Sequence, residues 1–575
     1  MAAATYKYPR SGCELCSEVK LQVYGNPWLA STRAQQTARF SIAVLLSSHP
    51  VNPMTDAIPP TRLDLADLNR APRSEEQVIG RTAPDTQLSV TIVLRRATDA
   101  AMRAADLAAL RDFSIRHKLD LEDSGDPDDF VTLCGRAADF EYAFHFELLD
   151  VEQDGDRYRR YTETPSLRPG IREVVVGIFG LRDRPARPRP RVDHGGTTAP
   201  FWTATDLERA YSFPEGTDGA GQTIALIELG GGYDPQDIAD LLASLGRPLP
   251  QVTFRPVANA LNQPCDADTI QQWLDVIEGR LQLSAVDPKV LEAAQATAEV
   301  TMDIEVAAAL APGAHLVVYM APPTEQGLYK ALDAAIHDTP PLVDVVSISW
   351  GEAELYVSDA YRKSLTQLLE DAAARGITVC ASSGDNGAYD DPPNQTLCVN
   401  FPASSPLVLA CGGTTIASYS SGIQKEVVWN CGVHGIHAAT GGGVSEHFPL
   451  PTWQDAKLVP ASANGYRGRG VPDVAAVADP HNGCEILVRG IRCSSFGTSA
   501  VVPFWAALIA RCNQALGKRS GQIQPKLYEL AKSESSPFRA ILEGDNFFYR
   551  AAAGWNPCTG LGAPDGSRLL TALRS

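Results

Sequence analysis

The feature that most constrains this chain is a rhythm in its second half. Residues 223–229 (TIALIEL), 315–321 (HLVVYMA), 344–350 (DVVSISW), 377–383 (ITVCASS) and 406–413 (PLVLACGG) are short, β-branched and almost wholly apolar. Between them, residues 235–245, 289–311, 324–338 and 358–375 carry helical spacing. A strand that is apolar on both faces has to be covered on both, and strands alternating with helices supply that cover. The pattern predicts an α/β domain built on a doubly wound parallel sheet. In such a fold, functional groups gather at the carboxyl ends of strands and the amino ends of helices.

An earlier stretch follows a different grammar. Residues 88–96 (LSVTIVLRR), 143–150 (AFHFELLD) and 174–179 (VVVGIF) read as strands, and residues 99–118 as a helix, which predicts a small α+β domain. The composition then breaks at residues 182–200 (RDRPARPRPRVDHGGTTAP), whose Pro, Arg and Gly favour an extended, exposed segment open to proteolysis. Near the amino terminus, the apolar run in residues 36–48 is too short and too internal for an ordinary export signal, and Met54 is a second candidate start. The expected organisation is therefore a poorly ordered extension over 1–85, an α+β domain over 86–183, a linker over 184–200 and the α/β domain over 201–575.

Charge and cysteine usage narrow the classes of partner. The formal net charge is −18. Nucleic acid binding needs clustered Lys and Arg, so nucleic acid is not an expected partner. Neither is a membrane, because the longest apolar stretches, such as 307–312 and 500–510, are too short to span a bilayer. Of the twelve cysteines, Cys13 and Cys16 form a lone C-x-x-C with no second pair to complete a zinc site. Cys484 and Cys493 flank a predicted hairpin and are placed to form a disulfide. Cys380 and Cys411 sit in apolar strands and read as small buried hydrophobes.

Three short strings carry candidate chemistry. In FGTSAVVPFWAALIA (496–510), Gly497 permits a tight turn and Ser499 opens an apolar helix. Such a serine is either a helix cap or a nucleophile set beside unpaired N–H groups and a positive dipole end. A nucleophile needs a base. HGIH (434–437) offers histidines, but it lies in a Gly-rich stretch without helical periodicity and reads as a surface loop. In residues 298–319, Glu299 and Asp303 stand four apart and share one face of a helix rich in Ala, Val and Met. Two like charges that close raise the pKa of one of them. Glu305 lies off that face and reads as structural. Asp385, in SSGDNG (382–387), follows an apolar strand and is either a turn aspartate or a functional acid.

Taken in order, SVTIVLRR (89–96), SFPEGTDGAGQTIALIELGGGYD (212–234), EVTMDIEVAAALAPGA (299–314), VSISWG (346–351), SSGDNG (382–387), FPASSPLVLACGGT (401–414), TGGGVSEHFPLPTWQ (440–454), RGVPDVAAVADP (469–480), FGTSAVVP (496–503) and GWNPCTGLGAP (554–564) resemble the sedolisin family of serine-carboxyl peptidases, and its kumamolisin-like members most of all. The resemblance implies a subtilisin-like fold preceded by a ferredoxin-like inhibitory prodomain. It implies Ser499 as nucleophile, Glu299 as general base, Asp303 as its supporting acid and Asp385 as the oxyanion-hole acid, with Glu228 and Trp350 extending the hydrogen-bond chain. It further implies an acidic optimum, self-processing in the linker with a mature start near residues 197–203, secretion, a monomer, protein or peptide substrates, and the prodomain as intramolecular inhibitor. Endopeptidase action is expected; a tripeptidyl-peptidase and an inactive binding homologue are the alternatives. Members bind calcium through two aspartates, but the matching positions here are Ala540 and Asn556. Ca²⁺ selects charged oxygen ligands, so no metal or other cofactor is expected.

Overall fold

A computed structural model describes residues 77–95, 97, 99–122, 130–153, 156–162, 165–167, 171–183, 202–277, 280–282, 285–338, 342–390, 396–431 and 438–575. All of these belong to one compact unit that spans residues 60–575. Cys13 and Cys16, Met54, the 184–200 linker and the His pair at 434 and 437 lie outside the described residues.

The amino-terminal segment runs β1 (Gln77–Arg81), β2 (Gln87–Leu94), α1 (Ala100–His117), β3 (Asp120–Glu122), β4 (Phe130–Arg136), α2 (Ala137–Phe144), β5 (Leu148–Gln153), β6 (Asp156–Tyr161) and β7 (Val175–Phe179). Four strands form an antiparallel sheet in the order β3-β4-β2-β7, and β1, β5 and β6 form a second, three-stranded sheet. The two helices pack over the first sheet through Leu110, Phe113, Phe140 and Phe144. Two expectations are corrected. Strand β1 starts at Gln77, before the expected boundary at 86, and belongs with the amino-terminal segment because it pairs with β5. Residues 143–150 are not one strand: α2 runs to Phe144, His145 ends it in the left-handed region at φ 56°, and the strand begins only at Leu148.

The remainder runs α3 (Ala204–Ala210), β8 (Thr223–Leu229), α4 (Pro235–Ser244), β9 (Val252–Pro256), α5 (Ala267–Ile277), α6 (Pro288–Leu310), β10 (His315–Ala321), α7 (Glu325–His337), β11 (Val345–Ile348), β12 (Glu352–Ala353), α8 (Asp359–Ala374), β13 (Thr378–Ser382), β14 (Asn400–Phe401), β15 (Leu409–Tyr419), β16 (Ile423–Val428), β17 (Gly443–Pro449), β18 (Gly468–Val471), β19 (Val474–Val477), β20 (Glu485–Val488), β21 (Ile491–Ser494), α9 (Gly497–Leu516), α10 (Gln524–Leu530), β22 (Phe538–Arg539), β23 (Ala563–Pro564) and α11 (Gly566–Arg574). The main sheet has the order β16-β15-β13-β11-β8-β10-β9, with β19 also beside β15. It is parallel except for β16. The sheet grows from β8 in both directions, so β8 and β11 flank the point where the winding reverses.

Side-chain alternation assigns each row of the sheet to a layer. Ile224, Leu226, Leu316 and Val318 face the layer that contains α6 and α9. Ala225, Ile227, Val317 and Tyr319 face α7 and α8. The amino-terminal segment docks on this second layer. Phe179 of β7 packs its ring 5.3 Å from Tyr329 and edge-on to Tyr361 at 5.4 Å. Beyond it, Arg182 donates to the Tyr356 carbonyl at 3.0 Å and pairs with Glu352 at 3.6 Å and Glu325 at 3.9 Å. The β20–β21 hairpin forms as expected, but Cys484 and Cys493 are both buried free thiols rather than a disulfide. Among the described residues, no helix is long and apolar enough to cross a membrane.

Phe179 is 3% exposed. Phe179→Ala is expected to destabilise the protein by about 3 kcal/mol through the cavity it leaves, read as a lowered thermal midpoint. Ile115→Ala, at a side chain 76% exposed, should leave the midpoint unchanged.

Candidate active site

The site lies at the carboxyl ends of β8, β11 and β13, where the winding of the sheet reverses. Helix α6 supplies its first two acids. Asp287 caps that helix by accepting from the Lys289 N–H, and Pro288 occupies the first turn, where a missing N–H costs nothing. From Thr297 to Leu310 every residue of α6 is buried. A helix enclosed on all sides belongs to the core, so Glu299 and Asp303 are core residues and not a solvated stripe. Glu305 is buried too, with its Oε2 accepting from the Leu487 N–H at 2.7 Å, which ties α6 to β20.

Glu228 continues the row of Ile224 and Leu226, so the strand alternation turns it toward α6. It shares a hydrogen bond with Asp303. Trp350 Nε1 donates to Glu228 Oε2 at 3.1 Å. Ser349 Oγ lies 2.6 Å from Asp303 Oδ2. The Ser499 side chain stands beside Glu299, close enough to favour its charged form. The residues thus follow one another in the order Trp350, Glu228, Asp303, Glu299, Ser499, hydrogen-bonded from Trp350 to Asp303 and adjacent beyond it, with Ser349 joining at Asp303.

Burial governs the protonation of these acids. It pushes Glu299 well above the usual carboxylate range, helped by the charge of Asp303 and opposed by the Ser499 hydroxyl. It likewise raises Asp303, reinforced by Glu228 and opposed by Ser349. Glu228 is raised mainly by burial, which the Trp350 N–H opposes. Glu228 Oε1, Asp303 Oδ1 and Glu299 Oε1 are each buried without a donor from any other kind of residue. A buried acceptor without a donor is costly, and the donors at hand are the protons of the acids themselves. Glu228 and Asp303 titrate as a pair, and Glu299 beside them feels the charge of Asp303.

Ser499 is not a helix cap. Phe496 occupies the cap position of α9, and Ser499 is the third helical residue, 4% exposed. Asp385 reaches the same turn from beyond β13. Its Oδ1 accepts from the Thr498 N–H and the Thr498 hydroxyl, both at 2.8 Å. The approach requires glycine at 497. Its φ is +78°, and a Cβ there would lie 2.5 Å from Asp385 Oδ2. The structure therefore brings together all six residues singled out from the sequence. Ser349 and Thr498 were missed, although both lay inside quoted motifs. A serine at the carboxyl end of an otherwise apolar strand was the signal for Ser349.

The Subtilase family profile matches residues 292–524, the stretch that holds Glu299, Asp303, Trp350, Asp385 and Ser499. Kumamolisin of Bacillus sp. (strain MN-32) is 39% identical over 552 residues, covering 88% of this chain and 94% of its own. Tripeptidyl-peptidase sed5 of Aspergillus fumigatus is 28% identical over 466 residues, covering 74% of this chain and 75% of its own. Among solved structures, a Pseudomonas sedolisin (serine-carboxyl proteinase) complexed with two molecules of pseudo-iodotyrostatin matches with a TM-score of 0.54 at 26% identity, covering 66% of this chain and 99% of that one. The chain belongs to the sedolisin family of serine-type peptidases, and its peptidase fold is subtilisin-like.

The raised acids fix how stability responds to pH. Unfolded, each ionises near its ordinary value of about 4. Folded, each holds its proton to higher pH, so above about pH 4 the folded chain binds more protons than the unfolded one. Their contribution is full below that pH and is lost as the pH rises through the folded values. In a Ser499→Ala background, which removes the Ser499 hydroxyl, the thermal midpoint should fall between pH 4 and neutrality. Glu228→Gln should make that fall shallower; an unchanged slope would show that the cluster is not its origin.

Proposed function

We propose that this chain is the precursor of an acid-acting serine-carboxyl endopeptidase. The observation that carries the reading is a buried serine in the first turn of a helix, beside Glu299 and a buried carboxyl cluster with no cation paired to it among the described residues. Ser499 Oγ attacks the scissile carbonyl carbon while its proton passes to Glu299, the general base. Asp303 and Glu228 redistribute protons behind Glu299 and keep it from holding an isolated buried charge. The carbonyl oxygen becomes negative in the tetrahedral intermediate, and Asp385, as a neutral carboxylic acid, donates to it. The intermediate collapses as Glu299 returns a proton to the departing amine, leaving an acyl-serine. Water then repeats the sequence and releases the acid product. Both a carboxylate base and a neutral carboxylic acid favour acid pH, where a histidine base is protonated.

The amino-terminal segment is read as a ferredoxin-like inhibitory prodomain. Its strand order, β3-β4-β2-β7 with two crossing helices, supports that reading. So does the position of Arg182, which pairs with Glu352, two residues beyond Trp350. The 184–200 linker follows directly and is the proposed site of self-processing, and the mature enzyme acts outside the cell as a monomer on protein substrates. Tripeptidyl-peptidase action is the second reading, favoured by the name of the Aspergillus relative. For wild type activated in acid, kcat/KM on denatured protein should peak between about pH 3 and 5. Glu299→Gln should remain unprocessed and lose activity by about 10³-fold or more. A neutral optimum with an active Glu299→Gln variant would reject the carboxylate base.

The calcium positions of the family do not fit the ion here. Ala540 has no side-chain oxygen. Asn556 spends its Oδ1 accepting from the N–H groups of Cys558 and Thr559 and from the Thr559 hydroxyl, at 3.0, 3.1 and 3.3 Å. Its Nδ2 donates to the Ala552 carbonyl at 3.2 Å, turning a donor where a cation needs acceptors. Chelator is therefore expected to leave the thermal midpoint unchanged. The double substitution Ala540→Asp with Asn556→Asp should make the midpoint rise with added calcium.

A further inference from the structure

Strand β11 ends at Ile348, and Ser349 is the next residue, on the rim where the sheet opens onto the site. Its side chain is buried. Besides the contact to Asp303, Ser349 Oγ lies 3.4 Å from the backbone oxygen of Ser499. That second contact originates in α9. In an uninterrupted helix, the Ser499 carbonyl accepts from the N–H four residues on. The residue there is Pro503, inside the helix and without an N–H. The proline of the G-T-S-A-x-x-P string therefore leaves the carbonyl of Ser499 open to another donor, and Ser349 is beside it. A serine hydroxyl has one proton to give, so Asp303 and Ser499 compete for it. When Asp303 is ionised, Ser349 donates to Oδ2. When Asp303 is protonated, the carboxyl donates to Oγ, and the serine proton turns to the Ser499 carbonyl.

We propose that Ser349 is a positioning residue of the acid cluster, its hydroxyl turning between the Asp303 carboxylate and the Ser499 carbonyl freed by Pro503, so that the helix of Ser499 responds to the charge on Asp303. The inference deepens the carboxylate-base reading and rests on it. The titratable groups facing Asp303 are Glu228 from β8 and Glu299 from α6, with Asp385 beyond Glu299. All are acids, so the donors that stabilise a negative charge in the cluster are neutral: Ser349, Trp350 and the Ser499 hydroxyl. The working form carries one negative charge on the cluster. A charge-assisted donor such as Ser349 lowers the pH at which the cluster gives up its first proton. Its removal moves that ionisation upward.

The test is kcat/KM against pH for wild type, Ser349→Ala and Ser349→Cys. The expected result is an acid limb displaced upward by about one pH unit in Ser349→Ala, and by less in Ser349→Cys, whose thiol is a weak donor. An acid limb that stays in place in Ser349→Ala, however far kcat falls, overturns the proposal. Should Ser349→Ala not fold, Ser349→Cys decides by the same criterion. Glu299→Gln measured alongside separates the two readings. Survival of its activity rejects the carboxylate base, whereas its inactivity together with an unmoved limb in Ser349→Ala rejects only the role of Ser349.

Discussion

Three carboxyls buried close to one another, with no paired cation among the described residues, set the terms for the rest of this structure. An isolated carboxylate in such a place is prohibitively costly, and a neutral carboxyl still needs its oxygens and proton satisfied. Glu228 and Asp303 meet part of that demand by bonding to one another, and Ser349 and Trp350 supply neutral donors, while Glu299 stands beside the pair. The neighbouring elements are placed accordingly. β8 and β11 run side by side so that Glu228 and Trp350 meet. α6 crosses the same face of the sheet with Asp303 directly over Glu228, and α9 brings Ser499 against Glu299.

The two layers of the main sheet divide the labour. The layer with α6 and α9 holds the candidate site, and the layer with α7 and α8 receives the amino-terminal segment through Phe179, Tyr329 and Tyr361. The two are linked at the rim, since Arg182 from the docked segment reaches Glu352 just past Trp350. Burial alone would depress the Arg182 charge, but Glu352 and Glu325 more than offset it and hold the guanidinium protonated.

Much of this was legible in the sequence. The strand and helix rhythm gave the doubly wound sheet, and helices read at 235–245, 289–311, 324–338 and 358–375 match α4, α6, α7 and α8 closely. Those elements declare themselves because a buried parallel strand has no polar face and a long helix repeats its apolar period. The short mixed segment 143–150 was misread because α2 and β5 are both apolar there, and only the left-handed turn at His145 separates them. The cysteines flanking the β20–β21 hairpin invited a disulfide, but sequence separation says nothing about side-chain direction.

The sequence by itself determined which residues are candidates for the chemistry. Glu299 and Asp303 share a helix face because a helix turns once in about 3.6 residues, and Ser499 and Asp385 stand at element ends where backbone dipoles converge. Only the tertiary structure decided how those groups behave. Glu228 lies 71 positions before Glu299 in the chain, yet the two acids feel each other's charge because strand alternation and the winding of the sheet bring β8 under α6. Ser349 gained its place for the same reason. Its value lies in what stands opposite it, the Asp303 carboxyl and a carbonyl that a proline left open, and those distances belong to packing and not to the order of residues.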